Sequence, residues 1–168
     1  SPQPSPPSKP TTGNRLGLTL LIDFEDDPAT ITQDEISNFC NGDSYTGYGN
    51  NGSVKQYFKD NSNGILLYSN VVTVYITIPN SLHPKSYYNN TSKDCGNQAN
   101  LLIQDAITVM KALTNYTTDI LPTFSNIDVD SANKILTCNV FYAGDNGGVW
   151  NYGLWPHSWS LYVVGAQS

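Results

Sequence analysis

The side chains that could do chemistry stand mostly in two short stretches. One is acidic: Asp23, Glu25, Asp26 and Asp27 close an apolar run, and paired carboxylates are what glycoside hydrolysis uses as acid and base. An acidic strand end is more often a solvated turn. The other stretch is 153-GLWPHSW-159, which gathers Trp155, Pro156, His157 and Trp159, with Trp150 just before it. His83 and His157 are the only histidines, and neither lies in H-E-x-x-H or H-x-H, so a self-contained histidine zinc site is excluded. Serines are many, but no G-x-S-x-G elbow presents one as a nucleophile. Asp128 and Asp130 alternate as calcium-loop ligands do, where every second side chain of a tight loop turns towards an oxygen-seeking cation.

These groups must be positioned by regular elements. The run 16-LGLTLLIDF-24 predicts a buried strand ended by the acidic turn 25-EDDP-28. Thr32 and Glu35 form a capping box, with Ile31 placed to staple Ile36, and predict a helix to about Cys40 that Asn41-Gly42 stops. Residues 43–52 read as a Gly, Asn and Tyr loop. Ser53 and Gln56 open a second helix with Val54, Tyr57 and Phe58 on one face, and Asn63-Gly64 ends it. The alternation in 65-ILLYSNVVTVYITIP-79 predicts one long or two short strands with a solvated face. Residues 97–114 predict the longest helix, with Ala99, Leu102, Ile103, Ala106, Met110 and Leu113 as its core stripe. A last buried strand is predicted over 135–144, followed by a glycine-rich turn. Strands alternating with helices give an α/β or α+β layered domain, expected over 15–168, behind a Pro/Ser-rich extended arm at 1–14.

Composition narrows the function classes. Net charge is -6 and the eight Lys and Arg are scattered, so the phosphate neutralisation that drives nucleic-acid binding is not available. No apolar run approaches the roughly 20 residues of a membrane span. Charged residues make up only 13% of the chain, which leaves solubility to Asn, Ser, Thr, Tyr and Gly, a common extracellular profile. Sequons at Asn51, Asn89, Asn90 and Asn115 point the same way and make these four the expected glycosylation sites of a secreted protein. SPQPSPPSKP favours polyproline II, either as a stalk of the glycosylated matrix type or as a plain linker. Cys40, Cys95 and Cys138 are odd in number and lack metal-ligand spacing; one disulfide with a spare thiol and three separate buried thiols are both open.

The segments 23-DFEDD-27, 45-YTGYGNNGSV-54, 57-YF-58, 62-SNG-64, 86-SYY-88, 128-DVD-130, 139-NVFYAG-144 and 153-GLWPHSW-159 occur in unbroken order. Together they resemble the immune-inhibitor-A-like family of secreted bacterial zinc metallopeptidases, over about Leu16 to Leu161. The resemblance implies a zincin-like N-terminal lobe, with a twisted mixed sheet and about three helices. It also implies a calcium loop of the form D-x-D-x-D-G, but Ala132, Asn133 and Leu136 stand where further ligands and the glycine belong. A metal-free turn is therefore expected at Asp128 and Asp130, with Asn133 in the left-handed conformation. The family's zinc helix, H-E-x-x-H, lies downstream of Trp-Pro-His and does not occur in these 168 residues. No cofactor is expected unless such a helix follows, since the residues that would generate a zinc-bound hydroxide are not among them.

The tryptophan and histidine cluster is expected to cover the end of the sheet, the alternatives being a remnant of a substrate-cleft wall or a zinc ligand at His157. Two functional classes follow: a secreted, non-catalytic structural or assembly module, and the N-terminal part of an active zinc endopeptidase. The module would self-associate or bind another extracellular protein through residues 1–14, in the limit as a filament formed by strand addition. Carbohydrate binding is a third class, with Tyr45, Tyr48, Tyr87 and Tyr88 as stacking platforms.

Overall fold

A computed structural model describes residues 11–158. Trp159 and residues 1–10 of the Pro-rich arm lie outside them. Three strands pair in the order β2-β1-β3: β1 Gly13–Phe24, β2 Leu66–Ile78 and β3 Cys138–Tyr142. All run parallel, with Gly13 N–H bonded to Ile65 O, Glu25 N–H to Ile78 O, Leu18 N–H to Thr137 O and Ala143 N–H to Ile22 O. The expected mixed sheet is thus corrected to a parallel one. The strands are joined by helical crossovers rather than hairpins, which is what parallel pairing requires.

The central strand β1 is buried without a break from Gly17 to Phe24, as expected when both faces of a parallel strand are covered. Between its first and last bonds β1 advances 25 − 13 = 12 residues while β2 advances 78 − 65 = 13. One extra residue in β2 breaks the ladder, and Leu21 N–H turns instead to Thr73 Oγ1 at 3.0 Å. A buried β3 is expected; it is exposed to half-buried along its length, and among the described residues it pairs on one side only.

The helices are α1 Gln33–Asn41, α2 Val54–Asn61, the single turn α3 Lys85–Tyr88 and α4 Cys95–Lys111, with a π turn at Tyr116–Ile120. The three long helices match those expected. Thr32 Oγ1 accepts from Glu35 N–H and Ser53 Oγ from Gln56 N–H, half of each capping box. The return bonds are not made: Glu35 accepts from Tyr45 Oη at 2.5 Å, and Gln56 donates to Asp60. Helix α4 begins two residues earlier than expected because Asp94 caps it, accepting from Gly96 and Asn97 N–H. Its core face is Cys95, Gln98, Leu102, Ala106 and Met110, with Leu113 exposed beyond the helix end. Truncating Leu102, which is 1% exposed, to Ala should cost about 2–5 kcal/mol.

The chain divides into two compact units. One comprises the described residues up to Thr19 with Thr32–Val72 and Thr123–Asn139; the other comprises Leu20–Ile31, Thr73–Pro122 and the described residues from Val140 on. In the first, α1 packs on α2 and supplies two amides to β2: Asn41 bonds both the N–H and the C=O of Asn70, and Gln33 donates to Val72 O. These side chains stand in for a neighbouring strand on an open sheet edge. In the second, α3 packs on α4, and Gln98 donates to the carbonyls of Tyr87 and Tyr88.

Candidate functional site

The acidic stretch that closes β1 folds into a tight turn in which Phe24 and Asp27 exchange backbone bonds. Each carboxylate accepts at least one bond within its own unit, while the buried Asp23 Oδ1 has no partner. Asp23 accepts from Ala29 N–H at 3.2 Å, Glu25 from Asn80 N–H at 2.7 Å, and Asp26 from Lys85 N–H at 3.2 Å. Asp27 forms an ion pair with Lys85 Nζ at 2.6 Å. The lysine is buried and its ammonium lies 5.8 Å from the Phe24 ring and 6.0 Å from that of Tyr142, which adds cation–π attraction. Gly144, at φ +76°, closes the group from the other side: a Cβ there would lie 1.9 Å from Asp27 Oδ2 and 2.3 Å from Lys85 Nζ. Only glycine fits both the conformation and the space.

The same unit ties in parts of three further motif segments. Tyr142 Oη donates to Leu154 O, Leu154 N–H donates to Asn89 Oδ1 at 3.2 Å, and Tyr88 Oη donates to Asp105 at 2.7 Å. Burial, and secondarily Asp145, pushes the Tyr142 phenol up to about 12; burial and the bonded Asp105 carboxylate raise Tyr88 further still. Neither ring is poised as an acid or base near neutrality. Lys85 is the residue that sequence reasoning missed. It sits in a segment read as loop, and its one local signal is an isolated cation beside Pro84 and two tyrosines.

The first unit holds a neutral polar cluster instead. Asn139 Nδ2 donates to Asn70 Oδ1 at 3.0 Å and to Tyr68 Oη at 3.2 Å, and Tyr68 Oη donates to Asn70 Oδ1 at 2.9 Å. Thr19 Oγ1 joins Cys40 Sγ at 3.8 Å. Gly17 admits this cluster: a Cβ there would stand 2.5 Å from Tyr68 Oη.

The loop at Asp128 and Asp130 is a small hairpin, with Val129 bridged to Ile135. Asp128 Oδ2 accepts from Leu16 N–H, and Asp130 Oδ1 accepts from Ala132 and Lys134 N–H. Those N–H bonds hold the Asp130 carboxyl below the usual range. Asn133 takes the left-handed conformation at φ +58°. Both aspartates thus accept from backbone donors, which pin the turn.

Of the three tryptophans expected over the sheet end, Trp150 and Trp155 are among the described residues. Trp150 is 75% exposed and its ring lies 5.2 Å from that of half-buried Trp155, tilted at 52°, while Gly153 and Leu154 are buried. His157 is exposed and its Nδ1 is paired with Trp155 O at 2.7 Å. Trp159 is not among the described residues. All three cysteines are free thiols, so no disulfide joins them; Cys40 and Cys95 are buried and Cys138 is exposed. Burial raises the Cys40 and Cys95 thiols, with Asp94 adding to the second. Of the proposed stacking tyrosines, Tyr88 is fully buried and Tyr45 is bonded to Glu35, whereas Tyr48 is exposed and Tyr87 lies stacked on His83 at 3.7 Å.

Asn51, Asn90 and Asn115 are exposed and Asn89 is half-buried. Asn51 borders a shallow cleft of about 440 Å³ with Phe39, Tyr57 and Asp60. Among the described residues no three His, Cys, Asp or Glu side chains converge as a metal site, so the zinc of the resembled family finds no fitting ligand set in them. No helix among them is long and apolar enough to cross a membrane. No protein-family model matches the chain, and no curated protein matches it either.

Proposed function

We propose that this chain is a secreted scaffold module, related in architecture to the N-terminal lobe of the immune-inhibitor-A-like metallopeptidases, and that it works by binding and assembly rather than by hydrolysis. One observation carries the reading: acidic and aromatic side chains of several resembling segments are bonded within the protein. Asp26 and Asp27 hold Lys85, Gly144 makes room for that pair, and Tyr142 holds Leu154. A reactive carboxylate needs a substrate-facing oxygen and a tuned proton affinity. Carboxylates bonded in this way serve to fix loops. No hydrolytic step is therefore assigned to them, and zinc chemistry would need ligands from elsewhere.

The sequons and the Pro/Ser-rich arm support secretion, and the arm is the proposed contact for self-association or for another extracellular protein. A second reading, a lobe that lines the cleft of a longer active peptidase, draws on Trp150 and Trp155. A solvent-facing indole beside a half-buried one suits a substrate wall. The test is incubation of the purified chain with an unfolded protein substrate and zinc. The module should give no chelator-sensitive cleavage, whereas turnover abolished by chelator and restored by zinc would overturn it.

A further inference from the structure

Asn89 and Asn90 open overlapping sequons, Asn89-Asn90-Thr91 and Asn90-Thr91-Ser92, and only sequence context distinguishes them locally. The fold treats the two side chains differently. The Asn89 carboxamide is a clamp: its Nδ2 donates to Asp145 O at 3.2 Å and its Oδ1 accepts from Leu154 N–H at 3.2 Å. Two glycines crowd it. A Cβ at Gly153 would stand 2.6 Å from Asn89 Oδ1, and one at Gly147 would stand 3.3 Å from Nδ2. Both glycines have positive φ, so the 144–154 segment is shaped around this amide. Asn90 is exposed, and its Oδ1 accepts from Ser92 N–H at 2.9 Å in a local turn, an arrangement that uses the carbonyl oxygen and not the nitrogen.

We propose that Asn90 is the glycosylated member of the pair and that Asn89 is reserved for the fold. This rests on the reading of the chain as a secreted glycoprotein. In the modification, Asn90 Nδ2 forms a bond to the anomeric carbon of a lipid-diphosphate-linked oligosaccharide. The bond from that carbon to the phosphate oxygen breaks, the lipid diphosphate leaves with its electron pair, and the nitrogen gives up one proton to the transferase. A sugar ring placed on Asn89 Nδ2 would have to occupy the space held by Asp145 O and Gly147. A chain so modified cannot close the 144–154 segment on α3, and secretory quality control would retain it.

The sequence permits a clean separation of the two sites. Thr91→Ala destroys the Asn89 sequon and leaves Asn90-Ala-Ser intact; Ser92→Ala destroys the Asn90 sequon and leaves Asn89-Asn90-Thr intact. The full chain and both variants would be secreted from a eukaryotic host, and occupied asparagines identified after enzymatic deglycosylation in heavy-oxygen water. The expected result is label at Asn90 and none at Asn89 in the secreted parent. Thr91→Ala should leave that label unchanged, and Ser92→Ala should abolish it in secreted material. An Asn89-linked glycan in secreted, protease-resistant protein overturns the proposal. Occupancy of Asn51 or Asn115 without Asn90 also overturns it while leaving the glycoprotein reading intact. A secreted chain carrying no glycan at any sequon would refute both. Asn89→Gln, by lengthening the clamp, should lower the melting temperature while Asn90→Gln does not, a difference that a purely accessibility-based choice between the two would not produce.

Discussion

In the first unit the polar cluster is neutral: Asn70, Asn139, Asn41, Tyr68 and Thr19 are linked through amides and hydroxyls, with the buried Asn70 Nδ2 left without a partner. In the second the cluster centres on charge, with Lys85 held between Asp27, the Asp26-bound turn and two aromatic rings. A neutral cluster costs less to desolvate than a charge and depends on hydrogen-bond geometry. The charged group must offset the larger cost of taking an ammonium out of water, and it tolerates no missing partner. Of the segments that resemble a peptidase family, 23-DFEDD-27 and 139-NVFYAG-144 contribute Asp26, Asp27, Tyr142 and Gly144 to the charged group.

The contrast can be broken most severely at its two close-approach glycines. Gly144→Ala combines a left-handed backbone with a Cβ inside the ion pair, and should cost about 3 kcal/mol or more in urea denaturation. Gly17→Ala meets the Tyr68 hydroxyl and ring and Asn70 Oδ1 but keeps a backbone conformation open to alanine, and should cost less, about 1–2 kcal/mol. Equal losses would remove the distinction between the units.

Asn139→Ala comes next, with an expected loss of about 1–2 kcal/mol because Tyr68 Oη and Asn70 Oδ1 lose their shared donor. Since no member of that cluster changes charge near neutrality, the loss measured by thermal melting should be the same at mildly acid and neutral pH. A loss that varied with pH would assign the cluster a titrating member.

Thiol accessibility offers a milder probe. Cys40 and Cys95 are buried with raised thiol pKa values, so a thiol reagent should modify both only as fast as the protein unfolds. Fast labelling of either in the native protein would contradict its burial.

The smallest effect is expected at Asp130. Its carboxyl is depressed by N–H bonds from Lys134 and Ala132, so its contribution is present above the ordinary carboxylate range and is lost as pH falls through the depressed folded value. Asp130→Ala should lower the melting temperature slightly at neutral pH, with the gap closing in strong acid.

Much of this architecture could be read locally. β1, β2 and the three long helices follow from hydrophobic period and capping residues, and Asn133 takes the backbone conformation its type allows. What escaped the sequence depends on partners distant along the chain. Lys85 gains its role from Asp27, 58 residues away, and Asn41 reads as a helix stop until β2 presents an unpaired edge at Asn70. The mixed sheet and the buried β3 were wrong for a related reason: strand direction and neighbour count are set by crossovers, which no single segment encodes. Trp150 is a core residue by type, yet it stands 75% exposed, while Leu154 is buried.

The central claim is that the peptidase-like segments are spent on structure, and the coupling between Asp27 and Lys85 tests it most directly. Stability would be measured by urea denaturation for Asp27→Asn, Lys85→Met and the double variant. The account predicts that each single change destabilises and that the double variant loses clearly less than their sum, with a coupling of about 1–2 kcal/mol, moderated because the Asp27 side chain is 41% exposed. Additive effects, or single variants as stable as the parent, would mean that these side chains are not a structural pair and would return the acidic strand end to the list of candidate catalytic groups.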